Sequence, residues 1–461
     1  MSSISITGVG VETISRRLRE GPLPVLRDML PDRDILNACA QAKHRFRKRV
    51  YDPVVTVFHF LIQAIQREHS FAATWAELWG PVAVAFDLSD RRFNSSALSQ
   101  ARSRLPQEVL VTLARGACAV QEAPCERWRG MRLKALDATT VSMPREPALF
   151  QHFGAHKART TTVRYPLATL CSLLRLGSSL IEDYRFGPFD PGEKETATPL
   201  LEHLTPGDLL LIDRGFTGSP TLARVSKRAA DFLGRKNARL IVSRLPVLQP
   251  LAPDDFITEL TVSRPARKAD PTLPECVRVR LCKASWTSPA GERLTEWFVT
   301  SLFDRDAFPP ATLATLYHQR WRIETSYGEF KVLFHADVLR SKTVANVEKE
   351  MAAHVLAYQL VRRLIREAAL KHQKPPTQIS FLHATRWVIS FSARMSMAAP
   401  RQLPRMYQRL LDAIASTEVD VRPGRLEPRA LTREWKHYPH LRMSRSRWRL
   451  QRLRETAKCL S

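Results

Sequence analysis

Residues 317–331 read "YHQRWRIETSYGEFK", and the reading of this stretch decides both the fold and the chemistry of the chain. On an α-helix of about 100° per residue, with Tyr317 at zero, Arg320 falls at ~−60°, Glu324 at ~−20° and Lys331 at ~−40°. Glu329 lands at ~120° and points elsewhere. Leu316, Ile323, Tyr327 and Phe330 form an apolar stripe between ~−80° and ~−140°. The expectation is a helix that packs by its stripe and presents Glu324 among cations at its edge. An ordinary solvated helix with local ion pairs would show the same pattern. The stretch therefore has to be weighed with the rest of the chain.

Two aspartates stand where apolar runs stop. In "RLKALDATTVSM" (132–143) a half-buried run ends at Asp137, and in "LLLIDRG" (209–215) a continuous apolar run ends at Asp213. Neighbouring strands would bring these carboxylates together, although a lone Asp at a strand end is also an ordinary turn former or helix cap. Three acids in one place repel unless a cation sits between them. An oxygen-only site suits a hard divalent ion such as Mg²⁺, and in a strongly basic chain such a site predicts phosphodiester chemistry.

The chain is strongly basic. Its 461 residues include 71 Lys+Arg against 45 Asp+Glu, a net charge of +26, which points to a polyanion and most directly to nucleic acid. No apolar run approaches the ~20 residues of a membrane span. The first residues, "MSSISITGVGVETISRRLRE", lack a signal pattern, so a cytoplasmic, nucleoid-associated protein is expected. Seven scattered cysteines without a Cys-x-x-Cys pair argue for reduced thiols over disulfides or structural zinc.

Five segments follow from the texture of the chain. Residues 1–128 read as a helical N-terminal DNA-binding region, and 129–245 as strands and helices forming the first part of a catalytic core. Within the latter, "VRYPLATLCSLLRL" (163–176) and "SLIEDYRFGPF" (179–189) read as antiparallel partners. "SPTLARVSKRAADFLGR" (219–235) reads as helix, and "ARLIVSRL" (238–245) as strand. Residues 246–300 read as a β-rich insertion, 301–370 as the second part of the core, and 371–461 as a basic helical region for DNA contact or dimerisation.

Three stretches carry a resemblance: "LDATTVSM" around Asp137, "LIDRGFTG" around Asp213, and the pattern Tyr-x2-Arg-x3-Glu-x6-Lys at Tyr317, Arg320, Glu324 and Lys331. Together they resemble the DDE-class insertion-sequence transposases of the insertion-sequence four group, over roughly residues 129 to 370. The resemblance implies an α/β fold: a ribonuclease-H-like mixed sheet with flanking helices, interrupted by the β-rich insertion and joined to helical N- and C-terminal regions. It implies a DNA transposase that binds the terminal inverted repeats of its own element, cuts there and joins the ends to target DNA, working as a homodimer in a synaptic complex. Asp137, Asp213 and Glu324 would hold two Mg²⁺ ions, with Mn²⁺ as substitute, about 3.5–4 Å apart.

Arg320 and Lys331 would hold phosphates beside the ions, and Tyr317 would donate to a phosphate or stack near a strand end. Trp286 and Trp297 are candidates to stack on an unpaired base, against the alternative of packing within the β-rich segment. Lys157, Arg159 and Arg164 in "GAHKARTTTVRY" (154–165) read equally as phosphate contacts or as a solvated basic loop. The rival readings are a catalytically inactive, transposase-derived DNA-binding regulator and a ribonuclease-H-like nuclease without strand transfer.

Overall fold

The computed structural model describes residues 23–47, 50–66, 73–77, 80, 95–155, 165–190, 192–287, 293–333, 336–419, 447–448 and 450–451. Lys157, Arg159 and Arg164 lie outside the described residues. Described residues up to 286 and from 293 to 419 form one compact unit, and residue 287 with 447, 448, 450 and 451 belongs to a second. Of the C-terminal segment, residues 447, 448, 450 and 451 are described, and they are helical.

Among the N-terminal helices that come first are α1 (Asp32–Gln41), α2 (Pro53–Ile65), α3 (Ser95–Arg104) and α4 (Gln107–Gly116). Helix α2 starts at Asp52, whose carboxylate accepts the Val55 N–H at 3.0 Å, with Pro53 in the first turn. Almost every side chain of α2 is buried, including His59.

Nine strands then build one sheet in the order β3-β2-β1-β4-β5-β9-β8-β7-β6. They are β1 (Arg132–Ser142), β2 (Leu167–Arg175), β3 (Leu180–Pro188), β4 (Asp208–Ile212), β5 (Asp231–Arg235), β6 (Gln249–Ala252), β7 (Asp255–Thr261), β8 (Cys276–Thr287) and β9 (Arg293–Thr300). Strands β1, β2 and β3 pair antiparallel, whereas β4 and β5 run parallel to β1. The order 3-2-1-4-5 with these directions is the expected ribonuclease-H-like arrangement. Strand β9 pairs antiparallel with β5, so the segment after residue 245 continues the same sheet through its own four strands.

The remaining labelled helices are α5 (Pro147–Phe153), α6 (Ser219–Lys227), α7 (Pro310–Tyr317), α8 (Arg322–Gly328), α9 (Val344–Lys371), α10 (Phe381–Met395) and α11 (Leu403–Ala415). Alternation along the strands divides the core between the two faces of the sheet. Leu133, Ala135, Leu209 and Leu211 join the core that contains α9, while Leu136, Leu210 and Ile212 join the one that contains α6. Asp137 and Asp213 continue the first set, on the face that also receives Ile323, Tyr327 and Phe330.

Two stretches differ from the sequence expectation. Residues 219–235 are not one helix: α6 stops at Lys227, Ala229 turns with φ 52°, and "DFLGR" becomes the buried strand β5. A Cβ at Gly234 would stand 2.5 Å from Thr217 Cγ2 and 2.9 Å from the Ile212 carbonyl oxygen, so glycine lets β5 lie against the loop after Asp213. Residues 238–245 are turns with a short 3₁₀ segment, not a strand. Among the described residues, no helix is long and apolar enough to cross a membrane.

Candidate active site

Strand β1 does not end at Asp137 but runs on to Ser142. Its parallel neighbour β4 ends at Ile212, level with Leu136. Asp137 and Asp213 therefore stand side by side, one position beyond the last paired residues. Asp213 occupies the N-cap of the turn Arg214–Phe216.

The stretch 317–331 is not a uniform α-helix. Helix α7 ends at Tyr317, a 3₁₀ turn spans His318–Trp321, α8 follows, and Glu329–Leu333 open into a π turn. The apolar stripe nonetheless packs as expected, with Leu316, Ile323, Tyr327 and Phe330 all buried. The Tyr327 hydroxyl donates to the main-chain carbonyl of Asp137 at 2.8 Å. This bond ties α8 to β1 at the residue that carries the first acid.

Arg320 is the centre of the site. Its Nη2 donates to Glu324 Oε1 at 2.8 Å, its Nη1 lies 3.8 Å from Asp137 Oδ2, and its Nη2 lies 4.0 Å from Asp213 Oδ1. The side chain is only 9% exposed. The wheel places Arg320 correctly beside Glu324, but as a free phosphate-holding cation it needs correction: Asp137 in β1 and Asp213 just past β4 lie against it, and its charge is already used by three carboxylates.

The acids respond differently to this setting. Burial pushes the Asp137 carboxyl up to about 6, with Glu324 and Asp213 adding to the rise and the Ala138 amide and Arg320 opposing it. Burial acts on Asp213 in the same sense, but the amides of Arg214 and Gly215 and the guanidiniums of Arg320 and Arg235 outweigh it. Asp213 is held below the usual carboxylate value.

Arg235, at the end of β5, is a site residue that the sequence reading missed. Its Nη2 lies 3.4 Å from Asp213 Oδ1. The helical reading of 219–235 hid it, because only a strand beside β4 brings residue 235 level with Asp213. Tyr317 is buried, stacks edge-on to Phe298 at 5.4 Å, and has the guanidiniums of Arg235 and Arg320 each 5.9 Å from its ring centroid. Its hydroxyl stands beside the Arg235 guanidinium, outside full hydrogen-bonding geometry to any described residue. Tyr317 thus supports two arginines from inside the core and does not face outward as expected.

Lys331 sits half-buried on the π turn with no hydrogen bond or ion pair among the described residues. Burial lowers its pKa and Asp337 opposes the shift. Glu329 does point away from Glu324, but into an ion pair with the buried Arg362 of α9. Phe330 beside it packs edge-on to His354 and Tyr358. This contact anchors the signature helix to the core. Trp286 packs on His318 at 5.1 Å and on Phe298, whereas Trp297 packs on Phe256 at 6.1 Å within the other core. The two tryptophans lie on opposite faces of the sheet.

The donor set around Arg320 is all carboxylate oxygen, the chemistry that suits Mg²⁺ or Mn²⁺, and it already holds one cationic group. Among the described residues, no three His, Cys, Asp or Glu side chains stand close enough together to hold a metal as they lie.

Residues 128–360 match the family described as the transposase DDE domain. The chain belongs to that family. It is a DNA transposase, as its relatives also indicate. It is 27% identical over 352 residues to the Escherichia coli K12 transposase InsG for insertion sequence element IS4, covering 74% of this chain and 77% of that protein. It is 28% identical over 144 residues to the putative transposase InsZ of the same strain, covering 30% of this chain and 47% of that relative. A cryo-EM structure of the piggyBac transposase synaptic complex with hairpin DNA aligns at 11% identity and a TM-score of 0.42, over 86% of this chain and 85% of that one.

Proposed function

We propose that this DDE transposase binds the terminal inverted repeats of its own insertion sequence, cleaves at the element's ends and transfers them to target DNA by metal-dependent cut-and-paste transposition. The observation that carries the reading is the convergence of Asp137, Asp213 and Glu324 on one guanidinium, from two neighbouring parallel strands and a helix. Asp137, Asp213 and Glu324 are the residues that would hold Mg²⁺. Bound divalent ions would supply activation of an attacking water or DNA 3′-hydroxyl and stabilisation of the leaving oxygen.

The chain's own groups do the rest. Arg320 keeps three like charges together as their shared countercharge. Arg235, beside Asp213 and one-third exposed, and Lys331 on the next turn of the chain offer a positive lining to an incoming phosphate. Trp286, against His318 of the signature segment, is better placed than Trp297 to meet a DNA end. The Tyr327 bond to Asp137 holds the third acid in register with the first. The partners are double-stranded terminal-repeat and target DNA, the working assembly is a homodimer that pairs two ends, and the setting is the cytoplasm at the nucleoid.

The test is to incubate the full chain and Mg²⁺ with linear DNA carrying the inverted repeats that flank its gene, plus a plasmid target. Ends released at the repeat boundary and joined to the plasmid are expected. Cleavage without joining would make the protein a nuclease, and binding without cleavage a regulator.

A further inference from the structure

The helices that precede the sheet carry a cavity of about 320 Å³, walled by segment 44–47, the start of α2 and the end of α3. His44, Arg45, Arg47 and Arg104 line it, and among the described residues no Asp or Glu does. The neighbouring acid, Asp52, is buried and caps α2 through the Val55 N–H. Arg45, Arg47 and Arg104 are exposed, and their side chains make no ion pair or hydrogen bond with the described residues.

A further cation outside the lining acts on His44. Lys349 of α9 reaches up to the main-chain carbonyls of Arg102 and Ser103, at 3.1 and 2.9 Å. Burial lowers the pKa of His44, and Arg104 and Lys349 lower it further. On the rim, Phe46 is 44% exposed and its ring stacks on His44 at 5.8 Å between centroids. Unmatched guanidiniums that gather round a concave site, with a flat apolar ring at the edge, match one chemistry. That chemistry is a sugar–phosphate backbone: anionic oxygens for the arginines and a deoxyribose face for the ring.

We propose that this cavity is a phosphodiester-binding site for duplex DNA, with Arg45, Arg47 and Arg104 on phosphates and Phe46 against a sugar. The inference rests on the reading of the chain as a DNA transposase. It adds a contact made by the N-terminal helices, distinct from the acids within β1 and just past β4. Each phosphate neutralised releases condensed counterions, so each arginine removed lowers the salt dependence of binding by a known amount.

The experiment uses the full chain, a fluorescent duplex carrying an element end, and EDTA, so that the acids take no part through a metal. Anisotropy titrations across a salt series compare the wild type with Arg45→Ala/Arg47→Ala, Arg104→Ala and Phe46→Ala. The control is Arg33→Ala, an 83% exposed arginine elsewhere in the helical region. The double variant is expected to lose about tenfold or more in affinity and to flatten the log–log salt slope by about 2, with about 1 for Arg104→Ala. Phe46→Ala should weaken binding without changing the slope, and Arg33→Ala should change neither.

Unchanged slope and affinity in the double variant, at a matched melting temperature, would overturn the proposal. So would uptake of inorganic phosphate by the cavity in calorimetry while DNA affinity stays at the wild-type value. A wild type that fails to cleave but shows the slope change sinks the transposition reading and leaves this site standing.

Discussion

Replacing Arg320 with alanine removes the one cation shared by three acids. At an effective dielectric of about 20, a unit charge pair at the observed separations of 2.8, 3.8 and 4.0 Å attracts by roughly 6, 4 and 4 kcal/mol. These figures share a single guanidinium and are largely offset by the cost of burying it, so they do not add. Deleting one partner of a buried ion pair costs about 3–5 kcal/mol, and the low end applies here because the three carboxylates left behind are 21%, 36% and 30% exposed. Asp137 offers a partial escape: its pKa is already about 6, and losing Arg320 moves it higher, so protonation relieves the repulsion in mild acid.

Arg320→Ala should therefore lose about 3 kcal/mol at pH 7 in EDTA and much less at pH 5. Excess Mg²⁺ should stabilise the variant more than it stabilises the wild type, because the freed carboxylates gain a new cation. Urea unfolding at the two pH values, with and without Mg²⁺, measures all three effects. A variant as stable as the wild type at pH 7, with no added response to Mg²⁺, would refute the assignment of Arg320 as the shared countercharge.

Glu329→Ala, which the helical wheel marks as harmless, should cost about 3–5 kcal/mol by stranding the buried Arg362; a melting temperature equal to that of the wild type would contradict this. Tyr327→Phe should lose about 1 kcal/mol for the missing bond to the Asp137 carbonyl, with cleavage down tenfold or more at unchanged DNA affinity. Normal cleavage rates would show that the hydroxyl only stabilises the fold. The raised Asp137 pKa means that the folded state binds this proton more tightly than the unfolded chain does. Its contribution to stability is therefore present below the ordinary value of 3.8 and lost as pH rises through about 6. In EDTA the wild type should lose up to about 3 kcal/mol relative to Asp137→Asn between pH 4 and pH 7, and a pH-independent difference would remove Asp137 from a buried site.

Much of the site was readable before any coordinates. The run before Asp213 is a strand because uninterrupted Leu and Ile suit a sheet covered on both faces, and the run before Asp137 joins it with Lys134 buried in ion pairs to Glu182 and Asp208. The spacing from Tyr317 to Lys331 singles out Glu324, which the structure sets with Asp137 and Asp213 around Arg320. A wheel gives direction but not what lies there, so it placed Arg320 beside Glu324 without showing that β1 and β4 would bury it. It turned Glu329 away from the site without showing Arg362 waiting on α9. Arg235 was hidden for a different reason. A five-residue buried strand has no periodicity of its own, and the αL turn at Ala229 leaves no mark that separates it from the preceding helix. Tyr317, polar at one end and buried throughout, was misread because its hydroxyl suggested a surface.

The most direct measurement is Mg²⁺-dependent cleavage of end-containing DNA by Asp137→Ala, Asp213→Ala and Glu324→Ala, with DNA affinity measured in parallel. If the three carboxylates form one metal-holding site, each variant cleaves slower by orders of magnitude and still binds the DNA. Cleavage near the wild-type rate by any one of the three, with the metal requirement intact, would contradict the account.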